Sequence, residues 1–419
     1  MKIGILGATR GLEFAFAARK CGLDVDVAAV CENYPPLLEK IKNELPKAGF
    51  TPRLYTDYAE MISGAGLDGV IIANDATGHA KFAVEALRHG LNVLSEVLPV
   101  QTLAEAVALV EAVEASGKRY SYAENYCYFP ANFQIARRFR AGEIGDLVEG
   151  EADFINDCSQ RWHLLTRGLR GHWRNHVPAT FYCTHSLAPL IFATRRRPVR
   201  VTGFEIAAQD YMVRHGARNG SAALEMVELD NGAFLKSLHG NLKRPWVTRL
   251  QLHGTKGSLE SRDCGNYRAY IENDRGTGYN DYDTLDGDFP EVEGVPPAVA
   301  ASPEAFILSN FMGAVAGDKT AIDYGIDIYQ ALDMFLPGLF AYRSILAGGI
   351  PVEIPDFRDE KARCDYRGDN MCTDPRIASG ENLQPSYSRG AIAVDDAVYA
   401  RETTLYAEAI AHKFHMGMN

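Results

Sequence analysis

The chain has 419 residues, 47% hydrophobic and 23% charged, with a formal net charge of −11. That length suits two domains of ordinary size with an appendage, and that composition suits a soluble globular protein. The acidic balance argues against a surface for nucleic acid or anionic lipid, and no segment reaches the ~18 apolar residues of a membrane span. Lys2 is followed at once by Ile3-Gly4-Ile5-Leu6-Gly7, which reads as a first strand and not as a signal peptide. The cysteines, Cys21, Cys31, Cys127, Cys158, Cys183, Cys264, Cys364 and Cys372, contain no C-x-x-C pair. Their scatter fits reduced thiols, so a cytoplasmic location is expected.

Strand and helix alternate over the first 120 or so residues. Strands are expected at 2–6, 25–31, 68–73, 91–95 and 120–123, and helices at 11–21, 36–44, 80–89 and 102–116. Asp57 with Glu60, and Thr102 with Glu105, have the spacing of capping boxes, and Gly117 stops the helix before it. Near-continuous apolar strands separated by helices imply a parallel, doubly wound α/β sheet. After Glu124 the pattern changes. Pro130 opens a helix ending near Gly142, and strands of alternating character follow at 148–154, 199–206, 222–229, 233–239 and 248–252. Asp230-Asn231-Gly232 is a hairpin turn. The run Arg195-Arg196-Arg197 reads as a helix end or loop, residues 265–300 as a long irregular loop, and helices resume at 303–316 and 324–347. A turn-rich tail ends in a helix over 395–414, with His412 and His415 placed on the surface unless the tail folds over a cleft. The organisation expected is a Rossmann domain over 1–124, an α+β domain with an open, mostly antiparallel sheet over 125–355, and a C-terminal extension over 356–419.

Gly7-Ala8-Thr9-Arg10-Gly11 joins the first strand to the first helix, where a glycine turn and a helix N-terminus can hold a pyrophosphate. The fingerprint is shortened, since Thr9 holds or adjoins the second glycine position. Glu32 ends the second strand ~20 residues later, where an acid binds the ribose 2′-hydroxyl and favours NAD over NADP. The competing reading is a solvated loop acid beside glycines that only shape a turn.

Residues 92–99, Asn-Val-Leu-Ser-Glu-Val-Leu-Pro, follow a strand and a helix in an arrangement that resembles the glucose–fructose oxidoreductase/inositol dehydrogenase (Gfo/Idh/MocA) family. The family reads Glu-Lys-Pro there, and its lysine moves a proton from the hydroxyl being oxidised. This chain keeps Glu96 and Pro99 but has Val97 and Leu98 between them, and a valine carries no proton. The resemblance implies that Asn74 and His79 line the nicotinamide side, that Glu96 lies near the nicotinamide ribose, and that Asn125 joins the cofactor set. It also implies a homo-oligomer, a dimer or tetramer, formed through the open face of the second sheet.

Glu124-Asn125 and Tyr182-Cys183-Thr184-His185-Ser186-Leu187-Ala188-Pro189 are closest to the family branch of NAD-dependent α-N-acetylgalactosaminidases. That resemblance gives Glu124, Tyr182 and His185 catalytic roles. Cys183, Ser186 and Ala188 depart from the branch, which leaves sugar and anomer open. Read from the residues alone, a tyrosine and a histidine three apart share a helix face and can exchange protons, or can form a buried core pair. Asp157, Cys158 and Cys183 crowd the same stretch as His185, along with His163, His172 and His176, a weak candidate set for Zn²⁺ or Mn²⁺. Trp162 and Trp173 suit a sugar cleft or a core, and Arg161, Arg167, Arg170 and Arg174 can meet sugar hydroxyls. The expected function is glycoside cleavage through transient oxidation at C3, with a small carbohydrate substrate. A sugar or cyclitol dehydrogenase and a non-catalytic NAD-binding protein are the alternatives.

Overall fold

The computed structural model describes residues 1–261, 266–272, 283–286, 291–292 and 294–412. Its first sheet holds β1 (Lys2–Leu6), β2 (Asp26–Cys31), β3 (Arg53–Tyr55), β4 (Gly69–Ile72), β5 (Asn92–Ser95) and β6 (Tyr120–Tyr122). The strands are parallel in the order β3-β2-β1-β4-β5-β6. Every residue of β4 and β5 is buried, as a parallel sheet covered on both faces requires. Strand order reverses between β1 and β4, and such a switch point opens a crevice beyond the C-terminal strand ends. The helix Leu103–Ser116 begins with the complete Thr102–Glu105 capping box and ends at left-handed Gly117, while Asp57 accepts from the Glu60 backbone at the start of the helix Tyr58–Gly64.

The second sheet holds β7 (Leu147–Ile155), β8 (Pro198–Ile206), β9 (Ala222–Leu229), β10 (Phe234–Gly240), β11 (Val247–Gly254), β12 (Gly257–Ser261), β13 (Asn266–Ile271), β14 (Asp283–Asp286) and β15 (Val352–Glu353). Its order is β14-β13-β12-β11-β7-β10-β9-β8-β15, antiparallel throughout except for the central pair β7 and β10. The Asp230-Asn231-Gly232 turn joins β9 to β10, with Gly232 at φ 82°. The helices Thr184–Thr194 and Ile328–Leu346 pack on one face. Arg195 ends the first of them, as the arginine run suggested.

Three expectations need correction. Residues 265–300 are not wholly irregular: β13 and β14 form there, because Tyr267 and Ala269 alternate inward among the Gly, Asp and Pro that mask them in sequence. The rest of that stretch lies largely outside the described residues. The helix expected over 324–347 is two, Lys319–Tyr324 and Ile328–Leu346. Gly325 ends one and Asp327 caps the next. Three-residue β3 was not anticipated, being too short to show a period. Cys264, His415 and the end of the last helix lie outside the described residues, and the other cysteines are free thiols. No helix among the described residues is long and apolar enough to cross a membrane.

Candidate active site

A cavity of about 940 Å³ opens over the C-terminal ends of β1, β2 and β4, and the glycine turn forms part of its floor. Gly7 stands at φ 90°, and a Cβ on it would lie 2.4 Å from the Ala73 carbonyl oxygen. A Cβ on Gly11 would meet Ile5 Cγ2 at 2.4 Å, so glycine there lets the first helix seat on the sheet. Thr9, Arg10, Glu32, Asn74, Glu96 and Asn125 also line this cavity. Glu32 is buried. Its carboxylate accepts from the Ala8 backbone at 3.1 Å and the Tyr34 backbone at 2.9 Å, so it braces the turn instead of standing in solvent.

Arg10 Nε donates to Glu96 at 2.6 Å, and its Nη1 donates to Glu304 at 3.1 Å and also pairs with Glu13. Asn125 donates to the same Glu304 oxygen at 3.1 Å. Asn74 Oδ1 is buried without a partner among the described residues, an acceptor that a bound ligand could satisfy. His79 lies in the cavity wall with Nδ1 2.9 Å from the Leu98 carbonyl and Nε2 3.0 Å from the Asn74 carbonyl. Both ring nitrogens are thereby engaged, and His79 holds the wall in shape. The glycine cradle, the orphaned acceptor and the acid at the end of β2 fit a dinucleotide. Val97 also lines this cavity.

A second cavity, about 240 Å³, adjoins the first. Tyr126, Leu165, Trp173, Arg174, Tyr182 and His185 line both, so these side chains mark the junction. Tyr182 ends the 3-10 turn Ala179–Tyr182, and His185 lies in the first turn of the next helix. The two are not on one continuous helix, yet their rings meet edge to face at 5.0 Å. His185 Nδ1 lies 2.8 and 2.9 Å from the two oxygens of Glu124, leaving Nε2 as the nitrogen available to the cleft. Glu124 is fully buried and also accepts from the Tyr126 backbone at 3.1 Å. Burial pushes the Tyr182 phenol up, against the pull of the Arg174 guanidinium over its ring at 5.1 Å. Tyr182 therefore carries its proton at neutral pH. Trp173 lies nearly parallel to Tyr182 at 17°.

The residues suggested for a metal do not converge. Cys183 Sγ is buried against the carbonyls of Met334 and Phe335 at 3.7 and 3.6 Å. Asp157 is held by Lys243 at 2.9 Å, Cys158 contacts Arg161 at 3.6 Å, and His185 is committed to Glu124. Closeness in sequence placed them together, but in the fold each is engaged by a different partner. Among the described residues no group of three His, Cys, Asp or Glu side chains is arranged to hold a metal ion. Arg161, Arg174 and both tryptophans do line the smaller cavity, whereas Arg170 pairs with Asp396 on the last helix.

Several lining residues were not singled out from sequence. Tyr126 packs on His185 at 4.2 Å and takes a hydrogen bond from Trp246 Nε1 at 2.9 Å. Phe154 and Asn156, at the end of β7, and Asn219 and His239 also face the smaller cavity. The end of an inward-alternating strand was the one available signal for Phe154 and Asn156. Asn219 has none.

Comparison with known proteins places this arrangement. Residues 1–124 match the Gfo/Idh/MocA model, described as an oxidoreductase family with an NAD-binding Rossmann fold. The chain is 26% identical over 391 residues to glycosyl hydrolase family 109 protein 2 of Akkermansia muciniphila, covering 83% of this chain and 81% of that one. It is 23% identical over 319 residues to an alpha-N-acetylgalactosaminidase of Shewanella oneidensis, covering 68% and 67%. A solved inositol dehydrogenase homolog from Azotobacter vinelandii, complexed with NADH and myo-inositol, shares the fold with a TM-score of 0.66. Its identity is 17%, over 84% of this chain and 97% of that one. Residues 1–124 thus match the NAD-binding Rossmann fold of the Gfo/Idh/MocA oxidoreductases.

Proposed function

We propose that this chain is an NAD-dependent glycoside hydrolase that works by transient oxidation of its sugar. The observation carrying the reading is the junction of the two cavities: Val97 occupies the lysine position, and a tyrosine with a carboxylate-braced histidine faces the cleft. Bound NAD⁺ would supply oxidation of the sugar at C3 and its reversal at the end of the cycle, the O3 proton passing to solvent water and returning from it. Thr9 and Arg10, with the glycine turn, would hold the dinucleotide, Glu32 its ribose, and Asn74, Glu96 and Asn125 its nicotinamide half. A ketone at C3 acidifies the proton on C2. His185 Nε2 is placed to take that proton, with Glu124 acting through Nδ1 as a positioning residue that fixes the ring and stabilises its charge. The substituent at C1 then leaves by elimination. Tyr182, protonated at neutral pH, donates to the oxygen that needs a proton, and water adds back at C1. Trp173 and Tyr126 supply faces on which a sugar ring can lie, and Arg161, Arg174, Asn156 and Asn219 supply polar contacts. This route needs no pair of carboxylates flanking the glycosidic bond.

The names of the relatives make aryl α-N-acetylgalactosaminides the first substrates to assay. Protein stripped of dinucleotide should not cleave them, and added NAD⁺ should restore cleavage without net NADH. One NADH formed per sugar consumed, without cleavage, would favour the dehydrogenase reading, for which the same His185–Glu124 pair would take a hydroxyl proton. Cleavage by fully stripped protein would defeat both.

A further inference from the structure

The last helix, Asp396–His412, ends at the dinucleotide cavity, far from the segments that build the rest of its wall. Its first turns are anchored on the segments 163–170 and 215–216. Asp396 pairs with Arg170, and Tyr399 donates to the Gly216 carbonyl at 2.9 Å. Glu402 is fully buried, takes a hydrogen bond from His215 Nδ1 at 3.0 Å, and lies 3.9 Å from His163. Gly168 stands at φ 67° where a Cβ would lie 2.1 Å from the Thr403 nitrogen, so its loop presses against the helix backbone. A helix held this firmly over about two turns has a fixed direction, and its later residues reach the cavity.

Beyond these anchors, Tyr406 and Ile410 face the cavity beside Glu32, Asn33, Thr56 and Asp57. The Tyr406 ring meets Tyr34, just past Glu32, at 5.9 Å. Ile410 is buried although it lies near the end of the described chain. Glu32 marks where the adenosine ribose belongs, so an aromatic ring and a branched aliphatic side chain stand at the purine end of the cleft. Such a pair presents flat apolar surface to a base and excludes water from its edge.

We propose that the C-terminal helix is a clasp on the adenosine half of the dinucleotide, with Tyr406 and Ile410 as its contact residues. This rests on the proposed NAD-dependent cycle and explains how it is sustained: a cofactor restored in every turnover has no need to leave, and the clasp retards its exit. Tyr406 lines the cavity and packs on Tyr34 next to Glu32, so release would require the helix end to lift.

The test uses the full chain loaded with NAD⁺ and freed of excess. Release is followed by an alcohol dehydrogenase reporter that converts escaping NAD⁺ to NADH. Tyr406→Ala combined with Ile410→Ala should release NAD⁺ at least about tenfold faster than wild type, whereas Tyr406→Phe should stay within about twofold of it. Thermal melts of the unloaded proteins check that the variants are folded. A folded double variant that releases NAD⁺ at the wild-type rate overturns the clasp. If wild type never takes up NAD⁺, the functional reading falls and the clasp falls with it. If wild type holds NAD⁺ tightly through this helix yet cleaves no glycoside, the hydrolase reading fails while the clasp stands.

Discussion

His185 and Glu124 bind as a unit, and their separation by 61 residues in sequence means that each matters through the other. Removing the imbalance of roles is informative. His185→Ala deletes the group proposed to take the sugar proton, and a positioned general base contributes on the order of 10²–10⁴-fold. Cleavage of an aryl glycoside should fall by roughly that factor while NAD⁺ binding, measured by titration, is unchanged. Glu124→Gln keeps the shape but replaces one accepting oxygen with a donor, so the imidazole tautomer is no longer fixed. Its loss should be of similar order and in kcat, not KM. Wild-type rates in both variants would remove His185 from the chemistry.

Glu225 on β9 is another buried carboxyl, and it has a different signature. Neither of its oxygens has a hydrogen-bond partner among the described residues, and its nearest cationic candidate, His239, is 3.8 Å away. Burial pushes the Glu225 carboxyl well above its ordinary value and pushes His239 down to about 4, so near neutral pH the imidazole is uncharged and the two form no ion pair. The unfolded chain releases the Glu225 proton above its ordinary value of 4.5, while the folded chain retains it. Folding stability therefore drops as pH rises beyond that point, by up to about 1.4 kcal/mol per pH unit, until the folded group ionises. Glu225→Gln does not titrate. Its melting temperature relative to wild type should rise between pH 5 and pH 8. A constant offset across that range would show that Glu225 is already ionised in the fold.

At the scale of elements, the turn carrying Tyr182 owes its place to the helix Ile328–Leu346. A Cβ on Gly338 would stand 2.3 Å from the Thr180 carbonyl oxygen and 2.8 Å from Cys183 Sγ. Gly338→Ala must push that turn outward. Overpacking of this kind costs about 1–3 kcal/mol, and a shift of the Tyr182 ring should lower kcat/KM on the order of tenfold. Thermal melting and steady-state kinetics check the two effects, and a variant matching wild type in both would show that the turn is not held by this contact. The same contacts show what the sequence could reveal. Helices with caps, such as Thr102 to Gly117, and strands with a clean period, such as β7 to β11, were legible because their signals are local. The 265–300 stretch misled because turn-forming residues outnumber the few alternating apolar positions of β13. Tyr182 and His185 were found by spacing and resemblance, but the seat of Cys183 under a distant helix could not be read from its neighbours, and that turned a packing thiol into a metal candidate. The Arg10–Glu96 bridge, spanning 86 residues, is equally invisible before folding.

Across the whole molecule, two sheets of different construction meet at one junction. The parallel sheet supplies the larger cavity at its switch point, and the turn and helix that carry Tyr182 and His185, with strand ends of the second sheet, supply the smaller one. The six side chains shared by both cavities come from residues 126–185, so the handover from one sheet to the other is where chemistry can occur. In the proposed cycle Val97 and the braced histidine go together: the proton that His185 handles would be the one on the carbon next to the oxidised centre. The most direct measurement is cleavage of an aryl glycoside in deuterated water, with the released sugar analysed by mass and by proton NMR. One deuterium at C2 in each released sugar is the expected result, because the proton removed there is replaced from solvent when water adds back. Full cleavage with C2 still carrying its original hydrogen would contradict the account.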